Sequence, residues 1–137
     1  MHEYLMRIRL LERAIRSAEL RIAELRMCLM PAGIRYDLDK VQTTPEDRLS
    51  KVAAELADLE RRVDKMRAER ARRIIVAGRM IDRLDSETEK LVITAYYIAG
   101  EPIAKIAAEI NYSERHTRRI KYRALKKMSD MSAFVLL

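Results

Sequence analysis

Residues 113–123 read Ser-Glu-Arg-His-Thr-Arg-Arg-Ile-Lys-Tyr-Arg, side chains of types able to hydrogen-bond to bases and phosphates. Arginine can donate two hydrogen bonds to the major-groove edge of guanine and glutamate can accept from cytosine, a good pair discriminating by about 1–3 kcal/mol. At helical spacing Glu114, Arg115, Arg118 and Arg119 point away from an apolar stripe of Ile120, Ala124, Leu125 and Met128. Glu114, Arg115 and Arg119 are therefore the candidate base readers. His116, Arg118 and Arg123 are placed to meet phosphates, which fix register without reading sequence. Ser113 can cap the helix that carries them. Glu114 keeps two readings, a base acceptor or simply a favourable charge at a helix N-terminus.

Charge supports this placement. The chain carries a net +7, and residues 113–128 alone hold seven Lys and Arg against one Glu. A positive field confined to so short a stretch fits a polyanion, with double-stranded DNA the first candidate and a merely solvated basic helix the alternative.

Other chemistries find little footing. His2 and His116 stand alone, Cys28 is the single cysteine, and Gly33, Gly78 and Gly100 make no phosphate-cradling loop. No catalytic residue, metal site or cofactor is expected, and the chain is not expected to be an enzyme. Cys28, one residue before an apolar seam position, is expected to be a packing thiol. One cysteine excludes an intramolecular disulfide and points to a reducing cytoplasm. The longest nearly apolar run, Leu91–Ala99, has nine residues, about half of a bilayer crossing. Glu3 and Arg7 do not read as a secretory leader. No membrane partner is expected.

The elements that must hold the basic face are helices. Three glycines and three prolines are too few turn-makers for a many-stranded sheet, so the fold class is all-α, a long helical hairpin or coiled coil followed by a small helix-turn-helix. In residues 1–30, Tyr4, Ile8, Leu11, Ile15, Ala18, Ile22, Leu25 and Leu29 form an unbroken heptad seam. Pro31 and Gly33 end that helix. Thr44 can cap a second one over 44–85, with Pro45 at its first position and Glu46 and Asp47 in its first turn.

The second seam runs Leu49, Val52, Leu56, Leu59, Val63, Met66, then meets Arg70 and resumes at Ile74, Ala77, Ile81 and Leu84. Such a break in phase unwinds a left-handed coil locally. The heptads fit pairing within one chain or between two. The charged stretch Arg67–Arg73 is expected to be a solvated face.

Ser86 and Glu89 have capping-box spacing, opening a helix expected to bury Leu91, Val92, Ala95, Tyr96 and Ile98 before Gly100 closes it. Pro102 precedes a short helix, Ile103–Ile110, and Asn111, tolerant of the left-handed conformation, leads to Ser113. Ala107 is small where two crossed helices must approach closely. The expected division is 1–85 for oligomerisation or partner docking, 86–129 for DNA binding, and 130–137 for an apolar tail that packs on the rest.

The stretch from Pro102 to Met128, P-I-A-K-I-A-A-E-I-N-Y-S-E-R-H-T-R-R-I-K-Y-R-A-L-K-K-M, resembles the helix-turn-helix of sigma-factor region four that reads the minus-35 element. The resemblance implies base and phosphate contacts at Ser113, Glu114, Arg115, His116, Arg118 and Arg119. Thr117 and Tyr112 stand where that pattern has aliphatic core residues, so the packing beneath the reading helix is expected to differ. The whole chain, through its two long helices and the connector Y-D-L-D-K-V-Q-T-T-P-E-D from Tyr36 to Asp47, is similar to small phage and prophage regulators of the RinA and ArpU type. No segment resembles the promoter-melting sigma domain.

The resulting expectation is a sequence-specific transcriptional regulator of phage or prophage origin, with helix 113–128 in the major groove. Its expected partners are double-stranded DNA and, as a second candidate, RNA polymerase. It is expected to be a homodimer through the long helices, working in the bacterial cytoplasm at the nucleoid. Two alternatives stand beside it, the DNA-recognising small subunit of a packaging terminase and a coiled-coil adaptor that binds no DNA.

Overall fold

The computed structural model describes residues 1–30 and 45–135, with side chains through Ser132. Thr44, the connector and the side chains of the apolar tail lie outside the described residues. Five helices follow one another: α1 (His2–Cys28), α2 (Pro45–Ile81), α3 (Glu87–Ile93), α4 (Ile103–Ile110) and α5 (Glu114–Val135). α3 runs on into a π-helical turn, Thr94–Ile98. No strand occurs among the described residues, and the fold is all-α. Contacts divide the chain into two compact units, Met1–Arg13 with Ala68–Leu137, and Ala14–Arg67.

In the Ala14–Arg67 unit, Ile15, Ala18 and Ile22 of α1 meet Leu59 and Val63 of α2 in a small core flanked by Leu25, Leu56 and Met66. These are seam residues of both helices. Arg26 reaches Glu60 at 2.8 Å, and Arg67 pairs with Glu19, so the helices run antiparallel within one chain here. Leu49, a seam residue by spacing, is 45% exposed.

The other unit has its own hairpin, where Arg7 pairs with Glu69 at 3.0 Å and Arg70 with Glu12 at 3.4 Å. The hydrogen bond from Arg7 holds the Glu69 carboxyl below its usual value. Its main core joins Leu5 and Ile8 of α1, Ala77, Met80 and Ile81 of α2, and Leu84 to Ile93, Tyr97, Ala124, Leu125 and Met128. This core crosses the expected division at residue 85, because the first turns of α1 and the last of α2 supply the surface on which α3 and α5 rest. Leu5, off the heptad seam, is fully buried for the same reason.

Arg67–Arg73 is not a uniformly solvated face. Arg70 donates to the Ile98 carbonyl at 2.8 Å, and the Arg73 guanidinium lies 4.6 Å from the Tyr4 ring centroid. Arg9, nearly buried, donates to the carbonyls of Tyr96 at 2.6 Å and Glu101 at 3.0 Å and stacks 4.2 Å from the Tyr96 ring. The Arg9 and Arg70 guanidiniums satisfy carbonyls left over where the π turn ends and Gly100 takes a φ of 74°.

The inward face of α3 and its π turn differs from the expected one. Val92 is buried as expected, Ala95, Tyr96 and Ile98 are half-buried, and Leu91 is 46% exposed. Ile93 and Tyr97 take the fully buried places. Each residue of a wider turn rotates less about the axis, so the side chains within and after it fall behind the α-helical phase, and Tyr97 lies inward. Its hydroxyl shares a 2.6 Å hydrogen bond with His2 Nδ1, and burial pushes its pKa upward.

Candidate nucleic-acid interface

A second, smaller core of Val92, Ile106 and Ile120 ties α3, α4 and α5 together. α4 presents Ile106 and Ala107 inward, and the small Ala107 leaves room for α5 to cross. After α4, Asn111 adopts φ 59°, ψ 38°, the left-handed conformation that lets its own N–H bond back to the Ala107 carbonyl. Tyr112 N–H also returns to Ala107 at 3.0 Å. The turn between the two helices is Asn111, Tyr112 and Ser113, as the sequence reading expected.

Ser113 then starts α5. Its Oγ accepts from the His116 N–H at 3.1 Å, and its carbonyl accepts from the Thr117 hydroxyl at 2.9 Å. Thr117 is fully buried with its hydroxyl thus satisfied, while Tyr112 lies exposed with its ring edge-on to His116 at 4.7 Å. Ile120, Ala124, Leu125 and Met128 are buried. One further tether is ionic: the buried Glu89 carboxylate accepts from Lys127 Nζ at 3.0 and 3.1 Å. Ser86 accepts from the Glu89 N–H at 3.3 Å, so the Ser86 half of the cap forms while the Glu89 side chain serves α5 instead.

With that face fixed, the opposite one carries the candidates. Ser113, Glu114, Arg115, Arg118, Arg119 and Arg123 are exposed, and His116 is half-buried beside Tyr112. Within the stretch from Glu114 to Arg119 only His116 and Thr117 are not exposed. Glu114 and Arg118 form an exposed pair at 3.5 Å, the kind of contact worth a fraction of a kcal/mol and easily given up to a ligand. Arg115 and Arg119 lie one helical turn apart, on the side of α5 away from Thr117, Ile120 and Ala124.

Three residues of consequence are not among the candidates read from the sequence. Tyr122 and Lys126 continue the Arg115–Arg119 stripe, a signal present in the spacing alone, and Tyr122 is 62% exposed. Lys121 is nearly buried, its Nζ 4.3 Å from the Tyr96 ring and 5.1 Å from the Tyr122 ring. Loss of water, and then repulsion from Arg118 and Arg9, hold its pKa below the usual lysine value. α5 also continues past Met128 to Val135, so the expected tail begins as helix.

Among the described residues no three His, Cys, Asp or Glu side chains gather as metal ligands, and no helix is long and apolar enough to cross a membrane. No curated protein and no solved structure matches the chain. The sequence model of the family described as Sigma-70, region 4, matches residues 81–130. That stretch holds the end of α2 and α3 to α5 up to Asp130, and it is a sigma region 4-like helix-turn-helix.

Proposed function

We propose that the chain is a sequence-specific, DNA-binding transcriptional regulator whose α5 enters the major groove by its N-terminal turns. The observation that carries this reading is the exposed Glu114–Arg119 surface on a helix whose other face is locked into the core. In this arrangement Glu114, Arg115 and Arg119 meet base edges, while Ser113, His116, Arg118 and Arg123 meet the backbone. The match to sigma-70 region 4 supports both the geometry and RNA polymerase as a further partner.

Phage or prophage origin is part of the proposal and rests on the likeness of the long helices and connector to RinA and ArpU regulators. A reader of such DNA works in the cytoplasm at the nucleoid. One reading helix offers few contacts, so a homodimer on paired half-sites would raise specificity. Because the seam residues Ile15, Ala18, Ile22, Leu59 and Val63 already pack together within the chain, such a dimer would use other surface of the long helices.

Selection of duplexes from a random library by the full chain tests the reading. Enrichment of one sequence is expected, with affinity falling by about 0.9 log units per log unit of salt for each phosphate neutralised. Failure to retain any duplex at low salt would overturn it in favour of an adaptor without DNA. Light scattering separates the regulator, as monomer or dimer, from a terminase ring of many subunits.

A further inference from the structure

We infer that Tyr122 is an additional sequence-reading residue, its ring packing against the C5 methyl group of a thymine in the major groove. The inference rests on the reading of α5 given above and extends it along the helix. Arg115, Arg119 and Tyr122 stand four and then three residues apart, so they share one stripe, opposite the buried Ile120 and Ala124. Tyr122 lies about 4.5 Å further along the axis than Arg119, a little over one base-pair step when the helix follows the groove.

Exposure and restraint together distinguish this ring from an incidental surface aromatic. It is 62% exposed, and Lys121 Nζ sits 5.1 Å from its centroid while lying 4.3 Å from that of Tyr96 on α3. The nearly buried ammonium therefore links the tyrosine to the core by two cation–π contacts. A ring held this way loses less freedom on binding than a free one. What it offers outward is apolar surface beside a row of arginines. Phosphates are served by those cations, whereas an apolar surface on the reading face suits the one apolar group that the major groove displays, the thymine methyl. A second copy of this face would bring Arg118, Arg119 and Arg123 against their own like charges, which disfavours self-association through Tyr122.

The test begins with the duplex selected by the full chain, each thymine of which is replaced in turn by deoxyuridine, identical but for the missing methyl. The wild type is expected to lose about fourfold in affinity at one position, the worth of one buried methyl group. Tyr122→Phe should keep that loss, because the ring remains. Tyr122→Ala should bind the thymine duplex more weakly and respond no longer to the replacement at that position. Helical circular dichroism and the melting temperature establish that both variants are folded.

Insensitivity of the wild type at every thymine would overturn the inference while leaving the DNA reading intact. So would a sensitivity that survives in Tyr122→Ala. If Tyr122→Phe were as defective as Tyr122→Ala, the phenol hydroxyl would be the contact and the methyl assignment would fall. Absence of any selected sequence would remove the DNA reading and this inference together.

Discussion

Arg9 shows what single residues contribute to holding the reading helix, because its guanidinium serves two carbonyls and the face of Tyr96 at once. Arg9→Met would strand the carbonyls of Tyr96 and Glu101. A cost of about 2–3 kcal/mol is expected, measured as a fall in stability to urea. Lys121 acts in the opposite sense. Its folded pKa is depressed, so the unfolded chain holds this proton more tightly. The resulting penalty is fully present below the depressed value and relieved as pH climbs towards the ordinary lysine range. Between pH 7 and 10 the wild type should therefore gain stability relative to Lys121→Met. Using the difference between the two proteins cancels Tyr97, whose raised pKa matters only above about pH 10. Neither Arg9 nor Lys121 was legible as buried. The partners of Arg9 are 87 and 92 residues away, and no local pattern marks a basic side chain for distant carbonyls. The exposed candidates from Glu114 to Arg119 were legible because charge, spacing and cap lie within two turns of one another.

At the scale of elements, the step from α4 to α5 sets how the reading face is presented. Asn111 holds a left-handed conformation and Ser113 caps the first amides of α5. Asn111→Ala should cost about 1 kcal/mol, while Asn111→Gly should be nearly neutral, since glycine adopts that conformation without steric strain. Ser113→Ala should cost about 1 kcal/mol through the lost cap. Urea unfolding of the three variants checks the order. The bounds of α4 and the position of this turn were readable in the sequence, because caps and left-handed residues are local signals. The inward face of α3 was not. Tyr97 turns inward within a π turn, and an extra residue per turn leaves no signature in a 3.6-residue pattern. Arg70 in the α2 seam did mark a real change. There the helix stops serving α1 alone and reaches Ile98.

On the scale of the whole molecule, two compact units divide the long helices between them. The heptads identified the side chains that meet, Ile15, Ala18 and Ile22 with Leu59 and Val63, but were equally compatible with pairing between chains. In the structure these residues meet within one chain. Charge is likewise divided: arginines pair with glutamates along the hairpins, and the arginines of α5 face outward. Leu59→Ala, in the small core of the Ala14–Arg67 unit, should cost about 2–5 kcal/mol. Where the variant is still folded, its DNA affinity should remain that of the wild type, because the reading face belongs to the other unit. A parallel fall in affinity would tie binding to the Ala14–Arg67 hairpin.

The central claim is that Arg115 and Arg119 read bases, and the most direct measurement compares the selected duplex with a scrambled one of equal length and salt. Arg115→Ala and Arg119→Ala should each lower the ratio of the two affinities by about tenfold or more, while binding to the scrambled duplex changes little. An equal loss on both duplexes would make these arginines phosphate contacts and contradict the claim.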